Sequence, residues 1–423
     1  MSPSSVFHIK EHILDASHIR EFPRALANSQ DDVLKVAVKE YIPKDNPNPQ
    51  PGDVTIIGAH ANGFPKELYE ALWEDLHAES KVQNFRIRSI IIADAAWQAA
   101  SSILNEGKLG NDPGWFDYPR DITHIINTLR PPRPIIGVGH SFGGNAIVNV
   151  GLVNPRLFSA VILLDPVISK WSSNAKGSIS QSPAAASASR RDIWPSRDEA
   201  KNAFLKSPFY RAWDQRVFES WVKYGLRDVP TQLYPEAGKG VTLTTTKHQE
   251  VFTFFRPSWD AYDETGREVI RPDLVPDLDT SLNERYYTYP LYRPEGASTL
   301  ARLPNLRPGV LYVFGGTSDL STPELREEKM RLTGTGAGGS GGVARGRVKE
   351  ITLPEAGHLF PMEIPGLSAR LTGEWIVKGL GEWRREQEDY ESWTRLSAKE
   401  KTTLSEEWMK RIGRPERPPK AKM

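Results

Sequence analysis

Six short apolar runs separated by helix-like segments constrain the fold of this chain more than any other feature. The runs are VTIIGAH (54–60), IRSIIIAD (87–94), PIIGVGH (134–140), SAVILLDP (159–166), VLYVFGG (310–316) and VKEITLPEAGH (348–358). Most of them are apolar at successive positions, which is typical of strands buried on both faces of a parallel sheet. Amphipathic stretches such as PKELYEALWEDLHAE lie between several runs. The alternation predicts a doubly wound α/β sheet with helices on both faces.

The alternation stops between about residues 166 and 307. This interval opens with the Ser/Ala-rich stretch SSNAKGSISQSPAAASASRR, which we predict to be a flexible loop, and continues with aromatic, helix-like segments such as SPFYRAWDQRVFESWVKYGL. We interpret it as a helical cap inserted over the carboxyl edge of the sheet. The predicted organisation is a first part of the core (1–168), the cap (169–300), a second part of the core (301–385) and a helical C-terminal tail (386–423).

Composition excludes several classes of function. The 423 residues include no cysteine, which excludes disulfides, thiolate metal sites and a cysteine nucleophile, and the formal net charge of +1 argues against a nucleic-acid partner. No apolar run approaches the roughly eighteen residues of a membrane-spanning helix, and the N-terminus lacks the pattern of a secretory signal. We therefore expect a soluble, non-secreted protein that needs neither a metal nor another cofactor.

The stretch GVGHSFGG (137–144) lies between an apolar run and the helix-like segment NAIVNVGLV. Its Gly139-x-Ser141-x-Gly143 pattern predicts a nucleophile elbow, a sharp turn from strand to helix that only small neighbours permit. Such a turn lifts the serine hydroxyl out of the sheet and points the start of the helix at the site. Ser141 is the predicted nucleophile.

A serine nucleophile needs a base, and the base needs a carboxylate to orient it. His358 follows the last strand-like run in LPEAGHLFP and is the candidate base. Two carboxylates compete for the third role: Asp165 in VILLDP and Asp319 in GGTSDLSTP. Both have the chain order Ser, Asp, His, and position along the chain favours Asp319, which follows the penultimate strand.

Attack on a carbonyl also requires donors for the oxyanion. The N–H of Phe142, directly after the predicted nucleophile, is the first candidate. The backbone N–H of Asn62, in the HANGF loop that follows the run at 54–60, is the second.

The chain ends with Ala421, Lys422 and Met423 after the basic, proline-rich lead-in RPERPPK. A small, a basic and an aliphatic residue in this order resemble the tripeptide address that the peroxisomal import receptor reads. We therefore predict import into the peroxisomal matrix, with that receptor as a partner.

Together these motifs resemble the α/β-hydrolase superfamily, and more closely a fungal peroxisomal branch. That branch includes acyl-CoA hydrolases of mycophenolic acid biosynthesis, relatives in host-selective toxin pathways and a yeast peroxisomal lipase. The resemblance rests on SHIREFP, PKELYE, GHSFGGN, PRLFSAVILLDP, DIWPSR, VTLTT, PLYRPE, GSGGV and LPEAGHLFP, and it covers nearly the whole chain. It implies the α/β-hydrolase fold, with a mostly parallel eight-stranded sheet and an inserted cap.

The resemblance also indicates which carboxylate orients the base. In the mycophenolic branch that role belongs to the aspartate of the LLDP strand, which implies Asp165 here. Two departures are that this chain has Asn62 where the branch has a glycine-rich HGVG loop, and Asp319 where the branch lacks a carboxylate. The resemblance thus implies a triad of Ser141, Asp165 and His358, with Asp319 as the alternative acid.

The function implied is a peroxisomal acyl-CoA thioesterase that releases a free acid and CoA from a specialised-metabolite (mycophenolic-acid-like) or fatty acyl-CoA. The first alternative is a peroxisomal lipase or carboxylesterase acting on oxygen esters. The second is a non-catalytic binding protein of the same fold, which the apparently complete triad disfavours. A homodimer formed through the cap or the tryptophan-rich tail is a further prediction.

Overall fold

One eight-stranded sheet forms the centre of the molecule in the computed structural model, which describes residues 6–170, 179–278 and 289–413. Its strands are β1 (Phe7–Asp15), β2 (Lys35–Pro43), β3 (Val54–Ala59), β4 (Ile87–Ala93), β5 (Ile135–His140), β6 (Phe158–Leu164), β7 (Gly309–Gly315) and β8 (Val348–Leu353). The strand order is β1-β2-β4-β3-β5-β6-β7-β8. Only β2 runs against its neighbours. The predicted strands and the mostly parallel sheet are confirmed.

The α-helices of the described residues connect the strands and build the cap and the C-terminal tail. They are α1 (Glu70–Val82), α2 (Ala99–Leu104), α3 (Asp117–Leu129), α4 (Phe142–Val153), α5 (Pro183–Ser189), α6 (Arg197–Phe204), α7 (Pro208–Arg211), α8 (Gln215–Tyr224), α9 (Lys247–Phe254), α10 (Glu295–Arg302), α11 (Pro323–Leu332), α12 (Phe360–Glu363), α13 (Pro365–Thr394), α14 (Ala398–Thr402) and α15 (Glu406–Ile412).

Apolar side chains cover both faces of the sheet, because successive residues of a strand point to opposite sides. Ile56 and Ile90 lie in a buried cluster with side chains of α1 and α13, such as Trp73. Ile57 and Ile91 lie in a second cluster with side chains of α3 and α4. The uninterrupted apolar runs of the sequence are therefore explained by burial on both faces.

The cap lies between β6 and β7 in the chain and consists mainly of helices α5 to α10. Two small antiparallel sheets complete it, formed by Ile193–Trp194, Leu226–Asp228 and Val241–Leu243, and by Arg256–Pro257 with Leu291–Tyr292. Trp194, Trp213 and Trp221 are buried in the same apolar cluster as α1, so the cap shares part of its core with the sheet domain.

Part of the Ser/Ala-rich stretch is not the loop that we predicted. Residues 183–189 form α5, because alanine favours helix, Pro183 occupies the first turn and the Ser182 hydroxyl accepts the N–H of Ala185. Residues 172–178 of the same stretch lie outside the described residues. The domain boundaries drawn after residues 300 and 385 fall inside the continuous helices α10 and α13.

No helix within the described part of the chain is long and apolar enough to cross a membrane.

Candidate active site

The strand registers bring four separate loops to one edge of the sheet. His140 pairs with Leu164 across β5 and β6, so the residues that follow these strands are neighbours. Leu164 in turn pairs with Val313 of β7, whose end lies beside that of β8. On the other side of β5, Gly139 pairs with Ala59 of β3, which places the HANGF loop next to the elbow. The carboxyl edge of the sheet therefore collects every predicted site residue except the C-terminal tripeptide.

Ser141 lies at the turn from β5 into α4 with φ 56° and ψ −119°, a backbone conformation that residues other than glycine rarely adopt. Its neighbours must be small because the turn is tight. A Cβ on Gly139 would lie 2.5 Å from the carbonyl oxygen of Gly143, and a Cβ on Gly143 would lie 2.3 Å from that of Ala59. The elbow geometry thus explains the Gly-x-Ser-x-Gly pattern.

A chain of two hydrogen bonds connects Ser141, His358 and Asp165. The Ser141 Oγ lies 2.8 Å from His358 Nε2, and His358 Nδ1 lies 2.6 Å from Asp165 Oδ2. Asp165 is fully buried, whereas 28% of the His358 side chain is exposed. With Nδ1 donating to the carboxylate, Nε2 is left to accept the serine proton, which is the arrangement that makes a serine hydroxyl nucleophilic.

The Asp165 carboxylate has three further donors, one from the last residue of β7 and two from the loop that follows it. Its Oδ1 accepts the N–H of Gly315 at 3.2 Å and the hydroxyl of Ser321, and its Oδ2 accepts the hydroxyl of Ser318 at 2.5 Å. Burial alone raises the pKa of Asp165. The hydrogen bond and charge of His358 and the two serine hydroxyls outweigh it, so that the pKa lies below its ordinary value. The carboxylate is thereby kept ionised.

Asp319, the alternative acid, begins a short 3-10 helix (Asp319–Ser321) and is exposed. The carboxylate that contacts His358 is that of Asp165, while the loop of Asp319 contributes the hydroxyls of Ser318 and Ser321. Sequence reasoning did not single out these two serines, although they flank the aspartate that it considered. Nothing in the local sequence indicates their role, because their partner Asp165 lies 153 and 156 residues away along the chain.

The two predicted oxyanion donors lie on either side of the elbow. Phe142 is the first residue of α4, where an N–H has no partner within the helix, and Asn62 follows the neighbouring strand β3. Within residues 6–170, 179–278 and 289–413, neither N–H has a hydrogen-bond acceptor. The N–H of Gly63, by contrast, donates to Gln98 Oε1 at 2.8 Å. The loop therefore offers the N–H of Asn62 rather than that of its neighbour.

Two other histidines near the site are buried and have structural partners. The Nδ1 atom of His140 lies 2.8 Å from the hydroxyl oxygen of Tyr69. Its Nε2–H donates to the backbone carbonyl of His358 at 3.0 Å. Burial and the proximity of His358 lower the pKa of His140 to about 3. His60 is likewise buried, and burial lowers its pKa. Both rings are neutral near neutral pH, and His140 supports the backbone of His358.

Comparison with known proteins identifies the family. The family model described as the alpha/beta hydrolase family matches residues 59–370, which include the elbow, Asp165 and His358. The chain belongs to the α/β-hydrolase family.

Two curated relatives extend the likeness of this α/β-hydrolase. It is 40% identical over 406 residues to the type I acyl-CoA thioesterase mpaH of Penicillium roqueforti (strain FM164), covering 92% of this chain and 91% of that protein. It is 29% identical over 287 residues to the abhydrolase domain-containing protein AKT2 of Alternaria alternata, covering 66% of this chain and 97% of that protein.

Among solved structures, the peroxisomal alpha-beta-hydrolase Lpx1 of Saccharomyces cerevisiae has the same fold. Its TM-score is 0.66 at 15% identity, over 97% of this chain and 96% of that one. The resemblance predicted from the sequence is confirmed, and so is the α/β-hydrolase fold. The chain is a hydrolase of this family.

Proposed function

We propose that this α/β-hydrolase is an acyl-CoA thioesterase that uses Ser141 as its nucleophile, His358 as its general base and Asp165 as the acid that orients the base. The hydrogen-bond chain of 2.8 Å and 2.6 Å through these side chains supports the roles. The relation to the thioesterase mpaH over nine-tenths of both chains is the observation that favours a CoA thioester over other carbonyl substrates.

The proposed reaction has two steps. Ser141 Oγ attacks the thioester carbonyl while its proton passes to His358 Nε2, and the N–H groups of Phe142 and Asn62 stabilise the oxyanion. The tetrahedral intermediate collapses, the C–S bond breaks, and His358 protonates the CoA thiolate. Water then loses a proton to His358 and attacks the acyl-serine, which releases the free acid and restores Ser141.

The environment of Asp165 suits this cycle. His358 becomes positively charged twice in each turnover, and an ionised, buried carboxylate 2.6 Å from Nδ1 stabilises that charge. The hydroxyls of Ser318 and Ser321 add to the effect of His358 in lowering the pKa of this carboxyl.

We propose a specialised-metabolite (mycophenolic-acid-like) or fatty acyl-CoA as substrate, because the curated relative acts on acyl-CoA and the cap presents a large aromatic cluster. Phe64, the last residue of the HANGF loop, contacts Trp213 and Trp221 of the cap. The cluster favours an apolar acyl group over a small polar one.

Peroxisomal import also belongs to the proposal. It rests on Ala421, Lys422 and Met423, which lie outside the described residues, and Lpx1, which shares the fold, is itself called peroxisomal. Deletion of the tripeptide from a fluorescently tagged protein is expected to turn a punctate signal diffuse. An unchanged distribution would remove the import proposal.

The activity is tested by release of CoA thiol from medium, long and aromatic acyl-CoAs, beside p-nitrophenyl esters of matched acyl groups. We expect thioester turnover that Ser141→Ala abolishes and that exceeds ester turnover. Turnover of esters alone would assign a lipase or carboxylesterase instead. Turnover of neither class by folded protein, across the whole panel, would contradict a hydrolytic function for these substrates.

A further inference from the structure

The HANGF loop is held by the cap as well as by the sheet domain. Asn62 is buried, and its side-chain amide accepts a hydrogen bond from Gln98 Nε2 at 2.7 Å on the sheet side. The same amide donates to the backbone carbonyl of Glu250, in α9 of the cap, at 3.1 Å. The residue whose backbone N–H is the proposed oxyanion donor is therefore fixed from two sides.

Glu250 also contacts this loop directly through its side chain. Gly63 has φ +85°, and a Cβ at this position would lie 2.8 Å from Glu250 Cδ. The carboxyl group of Glu250 is thus packed against the backbone of Gly63, and the glycine is required both by its backbone conformation and by this close approach. Any outward displacement of the loop would meet the Glu250 side chain.

The Glu250 carboxylate is itself held by two groups of the cap. Oε1 accepts the hydroxyl of Ser187 at 2.6 Å, and Oε2 forms an ion pair with Arg190. Glu250 is 7% exposed and 25% of the Arg190 side chain is exposed, so salt screens this ion pair less than a pair on the open surface.

We propose that Glu250 is a positioning residue for catalysis, which holds the Asn62 N–H in place through the contacts of Asn62 and Gly63. This inference rests on the proposed function. An oxyanion donor is effective only if its direction is fixed before the reaction, because reorientation would otherwise cost free energy in the transition state. The contacts made by Glu250 couple that direction to the packing of the cap on the sheet domain.

The first test compares Glu250→Ala, which removes the side chain packed against Gly63, and Asn62→Ala with the unmodified enzyme. Asn62→Ala keeps the backbone N–H and removes only the two side-chain bonds that orient it. Because loss of a whole oxyanion donor costs about 10²- to 10³-fold in kcat, loss of its positioning is expected to lower kcat by about 10- to 100-fold. KM is expected to stay within about threefold, because the ground-state carbonyl makes little use of the donor.

A second measurement separates positioning from a merely structural role. A trifluoromethyl ketone carrying the preferred acyl group adds to Ser141 and presents a tetrahedral oxygen to the donors. Its inhibition constant is expected to rise in both variants in proportion to the loss of kcat. The double variant is expected to lose no more kcat than the more impaired single variant, because both substitutions disturb the position of the same N–H group. Additive losses, or an unchanged inhibition constant, would overturn the proposal.

Glu106→Ala is the matched control. Glu106 also joins the sheet domain to the cap, accepting from Arg227 at 2.8 Å and from the N–H of Gln232 at 3.0 Å, but it does not contact the HANGF loop. We expect unchanged kcat in this variant. A loss equal to that of Glu250→Ala would mean that any weakening of the contact between the cap and the sheet domain lowers activity, and it would overturn the specific role of Glu250.

Folding is a further control. Helix α9 keeps a separate anchor, since the Thr253 hydroxyl accepts from Trp97 Nε1 at 2.8 Å. Glu250→Ala is therefore expected to keep the native circular dichroism spectrum.

The two proposals fail in different ways. If Ser141→Ala retains turnover, the proposed function is wrong. If Ser141→Ala is inactive while Asn62→Ala and Glu250→Ala keep normal kcat, only the positioning role of Glu250 is wrong.

Discussion

Replacement of Asp165 by asparagine changes one atom of the side chain and tests the site directly. The carboxylate accepts four hydrogen bonds, from His358, Gly315, Ser318 and Ser321. An asparagine has only one acceptor oxygen. If its oxygen faces His358, its amide N–H₂ faces the N–H of Gly315, and two donors oppose each other.

The other orientation of the amide is worse for catalysis. The N–H₂ group would face His358 Nδ1 and favour the tautomer that carries its proton on Nε2. That nitrogen would then donate to Ser141 rather than accept its proton, and no negative charge would balance the imidazolium.

The magnitude follows from these two losses. In serine hydrolases with this arrangement, asparagine at the acid lowers kcat by about 10⁴-fold, which corresponds to about 5 kcal/mol of transition-state stabilisation. We expect a decrease of about 10³- to 10⁴-fold for Asp165→Asn. For Asp319→Asn we expect less than about threefold, because Asp319 is exposed and the carboxylate at His358 is that of Asp165.

The assay is thiol release from the best acyl-CoA, with kcat and KM determined for both variants at several pH values. Circular dichroism and thermal unfolding report whether each variant is folded. A larger loss in Asp319→Asn than in Asp165→Asn would refute the assignment. A loss below about tenfold in folded Asp165→Asn would refute the role of the carboxylate.

Three further predictions concern the same edge of the sheet. Ser318→Ala removes a hydrogen-bond donor to Asp165 and is expected to raise the pKa of that carboxyl. We therefore expect kcat/KM to fall about 3- to 10-fold and its decrease at low pH to begin at a higher pH than in the wild type. An unchanged pH dependence of kcat/KM on the acidic side would contradict this prediction. The pKa of His140 is about 3 in the folded protein against an ordinary 6.5, so the unfolded chain binds this proton more readily and the free energy of unfolding rises with pH between these values. On acidification, His140→Gln should therefore lose less stability in urea unfolding than the wild type does, by up to about 1 kcal/mol per pH unit. Equal losses in the two proteins would refute the prediction. Gly143→Ala places a Cβ 2.3 Å from the carbonyl oxygen of Ala59. We expect this clash to lower the free energy of unfolding by about 1 to 3 kcal/mol, measured by thermal unfolding, and to lower the activity at least tenfold. A variant as stable as the wild type would show that the clash is absent.

The sequence by itself determined the sheet and the elbow, because both are local patterns. A strand buried on two faces must be apolar at successive residues, and a strand that turns sharply into a helix around Ser141 must have glycines beside it. His358 could be named for the same reason, since it follows a strand at the expected end of the chain. The motifs also carried the resemblance to the family.

The tertiary structure decided which groups meet. Asp165 and Asp319 both follow neighbouring strands, and only the side-chain geometry shows which carboxylate contacts His358. Ser318, Ser321 and Glu250 contact site residues that are far away along the chain, so no local pattern indicates their partners. Hydrogen bonds of this kind depend on strand register and cap packing, which are set by the whole fold.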